Sequence, residues 1–274
     1  MFLFAFSACF VSAGPPAATA PEAGALVEPV TSVAIPPIKM SDAGDGPEVR
    51  MPTDYSASRA LTAKSRIALS AARRPTVAAI FASAGVRYPP STVLLRAYKA
   101  ESELEVWASD GGPVTRIAVW RICAQYGSLG PKRREGDGQV PEGFYTIESL
   151  NSLSSYHLSL RVNYPNRSDR VLSDREHPGG DIMIHGDCVS IGCLAMSDER
   201  IEELWQIATS VRDQKKTVYV HILPSRDLAG LIAKGVYPEH AAFWTNLAVG
   251  DAIFRNERRL PVVTVGADGT YLFR

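Results

Sequence analysis

The chain has 274 residues, of which 46% are hydrophobic and 21% charged, and its 29 basic and 29 acidic side chains leave no formal net charge. This length can hold one substantial core with appendages. The balanced charge, and the lack of a basic stripe with interleaved aromatic residues, exclude a role in binding nucleic acid. The four cysteines follow no regular framework, so disulfides are not expected to hold the fold together.

The N-terminal segments are expected to serve export rather than the fold. Residues 1–14, MFLFAFSACFVSAG, form an apolar run of signal-peptide length that ends in small residues, although its start carries no positive charge. The run is too short to cross a bilayer, and any membrane association would come from this end of the chain. Cys9 lies in a faint resemblance to a lipobox, in which it would carry lipid. Residues 15–55 are rich in proline and alanine and are interpreted as a flexible tether.

The rest of the chain predicts a mainly β fold with flanking helices, of the α+β class. Residues 56–90 predict a helical segment broken at Pro75 and closed by Gly85, and residues 227–274 predict a C-terminal extension of two helices and a hairpin. Ser197 is expected to cap a helix whose apolar stripe faces the sheet. The predicted strands are VLLRAYKA, ELEVWAS, VTRIAVWRICAQY, FYTIESL, YHLSLRVNY, IMIHG and TVYVHIL.

The run IMIHGDCVSIGC, residues 182–193, indicates a chemistry. A thiol is a nucleophile as its thiolate, which needs a neighbouring base, and His185 at the end of an apolar strand could be that base for Cys193. Gly192 permits a turn whose amides, with that of Cys193, could stabilise an oxyanion. Ser190 could add a hydroxyl or a turn contact. The pattern favours thiol-based acyl transfer.

Other interpretations of these residues stay open. A single His and a single Cys are more often buried packing residues than catalytic ones. Zinc is a further alternative, but neither C-x-x-C nor H-x-x-x-H spacing occurs, so no metal is predicted. The zinc ligands would be His185, Asp187, Cys188 and Cys193. Cys188 is expected to be packed filler, with a redox or lid role as the alternatives, and Cys123 is expected in the core.

Together with GPKRREGDGQVPEGFYTI at residues 130–147, the His-Gly and Ser-x-Gly-Cys motifs resemble the YkuD-type L,D-transpeptidase catalytic domain family, and are most similar to its YafK subgroup. The resemblance covers roughly residues 93–224. It is specific, because two separated blocks occur in the right order and at the right spacing. It implies a YkuD-like β-sandwich or partial barrel for a catalytic domain at residues 91–226.

The resemblance also implies roles and a substrate. Cys193 would be the nucleophile and His185 the general base, oriented by the carbonyl of Gly186. The amides of Gly192 and Cys193 would form the oxyanion hole. Members of the family attack the bond between the diamino acid and the D-alanine of a peptidoglycan stem peptide and pass the acyl group to an acceptor amine, without a cofactor. The implied partners are stem peptides and, as one option, a wall-linked lipoprotein in the periplasm.

Two departures from the family pattern affect substrate binding. Ala195 stands where many members have an Arg or Asn that holds the donor, and the gap between the two catalytic motifs is short. A basic loop is the candidate replacement, because guanidinium groups grip carboxylates, although a merely solvated loop is the alternative. Its residues are Lys132, Arg133 and Arg134.

Three functions therefore follow as hypotheses. The first is an L,D-transpeptidase of the periplasm. The second is a peptidoglycan hydrolase or amidase that uses the same thiol to cut a bond to the diamino acid, for example to release an attached lipoprotein. The third is a wall-binding module without turnover, which the intact His185, Gly192 and Cys193 disfavour.

Overall fold

The computed structural model describes residues 61–274. The predicted signal peptide, the tether, the lipid attachment at Cys9 and the start of the helical segment lie outside the described residues. Within the described part, no helix combines the length and the apolar character needed to cross a membrane.

The described residues form ten strands, six α-helices and a short 3₁₀ turn at Pro238–His240. The strands are β1 Thr92–Tyr98, β2 Glu103–Ser109, β3 Thr115–Arg121, β4 Gly143–Asn151, β5 Ser159–Val162, β6 Met183–His185, β7 Leu194–Ala195, β8 Val218–Leu223, β9 Val263–Val265 and β10 Tyr271–Phe273. The helices are α1 Ala63–Ala72, α2 Arg74–Ser83, α3 Arg167–Leu172, α4 Asp198–Arg212, α5 Leu228–Ala233 and α6 Ala241–Glu257.

Eight strands form one curled sheet in the order β3-β2-β1-β8-β4-β5-β6-β7, and β9 and β10 form a separate hairpin. Most neighbours are antiparallel, but β1 pairs with β8 and β6 pairs with β7 in parallel. Beyond the end of β3, Ala124 bridges to Ala195 in β7, so the two ends of the strand order meet. The predicted mainly β fold with flanking helices is confirmed, as a partial barrel.

The central strands are buried on both faces, because helices cover each side of the sheet. Val93 and Leu95 in β1 belong to the main core, and α4 contacts α1 and α2 as well as the sheet on that side. Leu94 and Tyr98, which alternate with them, lie in two smaller cores that include Trp244 and Phe254 of α6. Burial on both faces explains why β1 is apolar at all positions from Val93 to Tyr98 except Arg96, whose charge is paired with Asp251.

Local signals set several helix ends. Ser197 caps α4 by accepting a hydrogen bond from the Arg200 amide at 3.4 Å, as predicted. Pro75 lies in the first turn of α2 rather than between the helices, a position where its missing N–H has no cost. Gly85 follows α2 with a φ of +70°, which suits a helix end.

A buried ion pair joins β1, the loop before β4 and the C-terminal helix. The Lys99 ammonium donates to the carbonyls of Gly130 (2.6 Å) and Val140 (2.9 Å) and lies 3.0 Å from the Glu142 carboxylate. Glu142 also accepts hydrogen bonds from the Gly130 amide at 2.8 Å and the Trp244 indole at 2.7 Å. Burial lowers the pKa of Lys99, and the neighbouring Glu142 carboxylate opposes that shift by favouring the ammonium.

Glu142→Gln should therefore lower the free energy of unfolding by about 3–5 kcal/mol, since it leaves a buried ammonium without its counter-charge. Urea and thermal denaturation would measure the loss. The matched control is Glu148→Gln, which removes an exposed carboxylate 3.1 Å from Arg161 and should cost less than about 1 kcal/mol. Equal stabilities of the two variants would show that the Lys99 pair does not support the fold.

Candidate active site

Two short parallel strands, β6 and β7, bring the chain segments that carry the candidate base and the candidate nucleophile together. In the register of β6 and β7, Ile184 pairs with Leu194 and His185 pairs with Ala195. Cys193 directly precedes Leu194 at the start of β7, and His185 ends β6, so the two residues lie near one another in this pairing. The eight residues between β6 and β7, 186–193, form the loop that returns the chain to it.

The imidazole of His185 is fixed in one tautomer. Its Nδ1 lies 2.6 Å from the carbonyl oxygen of Gly186, which can only accept, so Nδ1 carries the proton and Nε2 keeps its lone pair. The ring packs against Tyr156 with centroids 4.7 Å apart, and the residue is 2% exposed. Burial lowers the pKa of His185, against the opposing effect of the Gly186 carbonyl, so the neutral base is favoured.

Cys193 is the free cysteine of the described residues, and its backbone is held by Ser190. The Ser190 hydroxyl accepts from the Cys193 amide at 2.8 Å and donates to its carbonyl at 2.7 Å, so it makes the turn contact. Gly192 precedes it with a φ of +101°, where an L side chain is strained. Burial raises the pKa of the Cys193 thiol, with a smaller opposing contribution from the Met183 backbone. The resting thiol is therefore protonated.

A cavity of about 220 Å³ opens beside Cys193. Its lining includes Lys132, whose ammonium lies 2.6 Å from Asp137 and donates to the Arg134 carbonyl at 2.8 Å. Arg133 and Arg134 do not line this cavity, since the Arg133 guanidinium stacks over Phe243, 4.7 Å from the ring centroid. Five glycines, two carboxylate residues and two isoleucines complete the lining, namely Glu135, Gly136, Gly138, Gly179, Gly180, Asp181, Ile182, Ile191 and Gly192.

The expectation that Cys188 and Cys123 are packed free thiols is wrong. They form a disulfide, with Cα atoms 5.3 Å apart and a sequence separation of 65. Cys188 lies in the loop between His185 and Cys193, and Cys123 follows β3, where its amide donates to the Ala195 carbonyl at 2.9 Å. The bond therefore anchors the active-site loop to the far end of the strand order. Disulfides do contribute to this fold, contrary to the composition argument.

A second histidine and helix α4 lie next to the loop of residues 186–193. His157 is buried, and its Nε2 lies 3.0 Å from Glu202 of α4. From the same helix, Asp198 accepts a hydrogen bond from the Asp187 amide at 2.9 Å. Tyr156 and His157 follow β4 by several residues, and only the pairing of β5 with β6 brings them here, so no sequence motif indicates them. Within residues 61–274, no three His, Cys, Asp or Glu side chains form a metal-binding group.

Comparisons with known proteins identify the family of the chain. The family described as the YkuD L,D-transpeptidase catalytic domain matches residues 94–222. YafK of Escherichia coli strain K12, provisionally named an L,D-transpeptidase, is 34% identical over 185 residues, which cover 66% of this chain and 74% of YafK. The chain belongs to the YkuD L,D-transpeptidase family. The YafK of E. coli O157:H7 matches equally well.

Solved structures with a similar fold are more distant. The helical cell shape determining protein Pgp2 from Campylobacter jejuni has a TM-score of 0.41 and 22% identity, and the match covers 60% of this chain and 57% of Pgp2. Bd1075 of Bdellovibrio bacteriovorus has a TM-score of 0.35 and 19% identity, with 61% and 58% of the two chains covered. The chain thus spans less than two thirds of either solved protein.

For this member of the YkuD family, alkylation of Cys193 by iodoacetamide should be slow at pH 7 and rise about tenfold per pH unit, because the thiol pKa is raised by burial. Mass spectrometry at a series of pH values would give the rates. Cys193→Ala is the blank, since it subtracts any reaction at Cys9. A rate that is already maximal at pH 7 would instead indicate a thiolate–imidazolium pair at rest.

Loss of the Cys123–Cys188 bond should lower the free energy of unfolding by about 4 kcal/mol, as the chain-entropy estimate gives for a closed loop of this length. Thermal denaturation with and without dithiothreitol would measure it. The double variant Cys123→Ala/Cys188→Ala should no longer respond to the reductant, whereas the control Cys193→Ala should respond like wild type. A wild-type midpoint that dithiothreitol leaves unchanged would contradict the bond.

Proposed function

We propose that this protein is a periplasmic, cysteine-dependent L,D-transpeptidase that acts on peptidoglycan stem peptides, with Cys193 as nucleophile and His185 as general base. One observation carries the proposal. The free thiol lies at a cavity, directly before a strand that pairs with the strand of His185, an imidazole whose Nδ1–H is committed to the Gly186 carbonyl. A proton acceptor is thereby left at Nε2, on the atom that a neighbouring thiol would use.

The first half-reaction forms an acyl-enzyme. His185 takes the Cys193 proton at Nε2 as the sulfur attacks the carbonyl carbon between the diamino acid and the terminal D-alanine of the donor stem. The carbon–nitrogen bond breaks, the imidazolium gives its proton to the departing D-alanine amine, and a thioester remains on the sulfur. The site needs no charged thiolate at rest, since the proton moves as the bond forms.

The second half-reaction regenerates the thiol. An acceptor amine attacks the thioester carbonyl, loses a proton to His185, and the sulfur leaves as the thiolate, which the imidazolium reprotonates. In both steps, negative charge develops on the carbonyl oxygen, and the amides of Gly192 and Cys193 are the proposed donors to it. The Cys193 amide already donates to the Ser190 hydroxyl. In this proposal its single hydrogen is shared between that hydroxyl and the oxyanion.

Lys132 is the proposed contact for a carboxylate of the donor stem. It lines the cavity beside Cys193, and its two hydrogen bonds, to Asp137 and to the Arg134 carbonyl, leave one of its three N–H groups available. This role compensates for Ala195, which is fully buried and offers no polar group. Donor binding by Arg133 and Arg134 stays a prediction, since neither lines this cavity.

The test is mass spectrometry of purified sacculi, with and without attached lipoprotein, after incubation with the wild-type protein. Cys193→Ala should abolish all change, and His185→Ala should lower the rate by about 10²–10⁴-fold, the usual contribution of a general base. The matched control is His177→Ala, because that side chain is 73% exposed, and its rate should equal that of wild type.

The products decide between the hypotheses. New crosslinks between diamino acids, or newly attached lipoprotein, that depend on Cys193 would establish transpeptidation. Cys193-dependent release of peptide or lipoprotein without new links would mean that water is the acceptor and the protein is a hydrolase. Wild-type activity in Cys193→Ala would overturn the proposed mechanism, and unchanged sacculi in every sample would favour a wall-binding module.

A further inference from the structure

A second cavity, larger than the one beside Cys193, lies between the sheet and the C-terminal helix. It has a volume of about 490 Å³, within the usual range for small-molecule sites. Its walls come from β1, β2, the start of β3 and the end of α6, and it shares no lining residue with the cavity at Cys193. β1 to β3 lie at one end of the strand order and β6 and β7 at the other.

The lining of this cavity is strongly cationic. The carboxylates that pair with its arginines are Glu105, Asp251 and Glu103. Three carboxylates against five guanidinium groups leave two positive charges uncompensated. The five arginines are Arg96, Arg116, Arg226, Arg255 and Arg258.

Two of these arginines have guanidinium N–H groups that their neighbours do not fully engage. Among residues 61–274, no carboxylate lies within 4.0 Å of Arg258, whose guanidinium stands over the Trp107 ring at 5.1 Å from the centroid. Arg96 is 1% exposed and pairs with Asp251, yet its Nε has no hydrogen-bond partner in the described part of the chain. The Arg258 guanidinium is thus the lining cation that no described carboxylate neutralises, while Arg96 adds positive charge to the wall of the cavity.

Aromatic rings hold the guanidinium groups in place. Arg226 stands 4.3 Å from the Tyr98 centroid, and Arg116 stands 5.9 Å from the centroid of Trp107, which Arg258 also faces. A guanidinium stacked on a ring keeps its N–H edge free for an acceptor and loses little side-chain entropy on binding one. This arrangement suits oxyanions, which guanidinium groups can bind through two parallel hydrogen bonds.

We propose that the cavity between β1–β3 and α6 is an accessory site for a small ligand that carries two or more carboxylate or phosphate groups. The excess of two positive charges sets the minimum charge of the ligand, and the volume admits a molecule of drug-like size. The site gives the C-terminal extension a role in recognition, since Arg255 and Arg258 close the cavity from that segment. It is separate from the catalytic cysteine.

Isothermal titration of the full chain with citrate and with pyrophosphate, at constant ionic strength, tests the site. At least one of the two anions should bind saturably with a stoichiometry near one. Tighter binding of citrate would identify carboxylates as the preferred groups, and tighter binding of pyrophosphate would identify phosphates. Arg258→Asn should weaken binding at least fivefold, and Asn is chosen because Arg258 has a φ of +52°, which Asn tolerates.

Matched variants separate this site from surface charge and from catalysis. Arg259→Asn removes the neighbouring arginine, which pairs with Glu257 outside the cavity, and should bind like wild type. Cys193→Ala should also bind like wild type, whatever becomes of the proposed transpeptidation. Arg116→Gln provides a second lining variant in case Arg258→Asn does not fold. No saturable binding of either anion, or equal affinity in the lining variants and Arg259→Asn, would overturn the proposal.

Discussion

The architecture depends on one buried contact, the ion pair between Lys99 and Glu142. The ammonium contacts Glu142 and donates to two carbonyls of the loop that precedes β4. The second oxygen of the carboxylate accepts a hydrogen bond from Trp244 of α6. Neither charge would be tolerable in this core alone. The pair thus fixes the loop that carries Lys132, the end of β1, and the C-terminal helix in one arrangement.

The two cavities differ in the charge that their side chains carry in the resting protein. Around Cys193 and His185, burial favours the protonated thiol and the neutral imidazole, so the proposed catalytic pair is uncharged in the resting protein. The cavity beside α6 instead keeps an excess of positive charge in the resting protein, held over Trp107 and Tyr98. The first arrangement suits transient charge in a reaction, and the second suits a ligand that arrives already charged.

The sequence predicted those features that depend on neighbouring residues. The largely apolar runs located the main strands, and Ser197 located the start of α4. That His185 and Cys193 act together, as the His-Gly and Ser-x-Gly-Cys motifs predict, stays a prediction. Features set by long-range pairing were missed. Three such features depend on which distant strands become neighbours, and no local sequence pattern predicts that. They are the parallel pairing of β1 with β8, the packing of Tyr156 on His185 and the partner of Cys123.

The Cys123–Cys188 bond has a consequence for how the protein matures. Residues 61–274 contain three thiols before oxidation, so three single pairings are available, and only one of them leaves Cys193 free. The pairing of Cys188 with Cys193 has the shorter loop and hence the smaller entropic barrier to closure. The β7 register sets Cys123 against the Ala195 carbonyl and so favours the more distant pairing with Cys188 once the sheet has formed. Folding and oxidation together select which of the three sulfurs stays free.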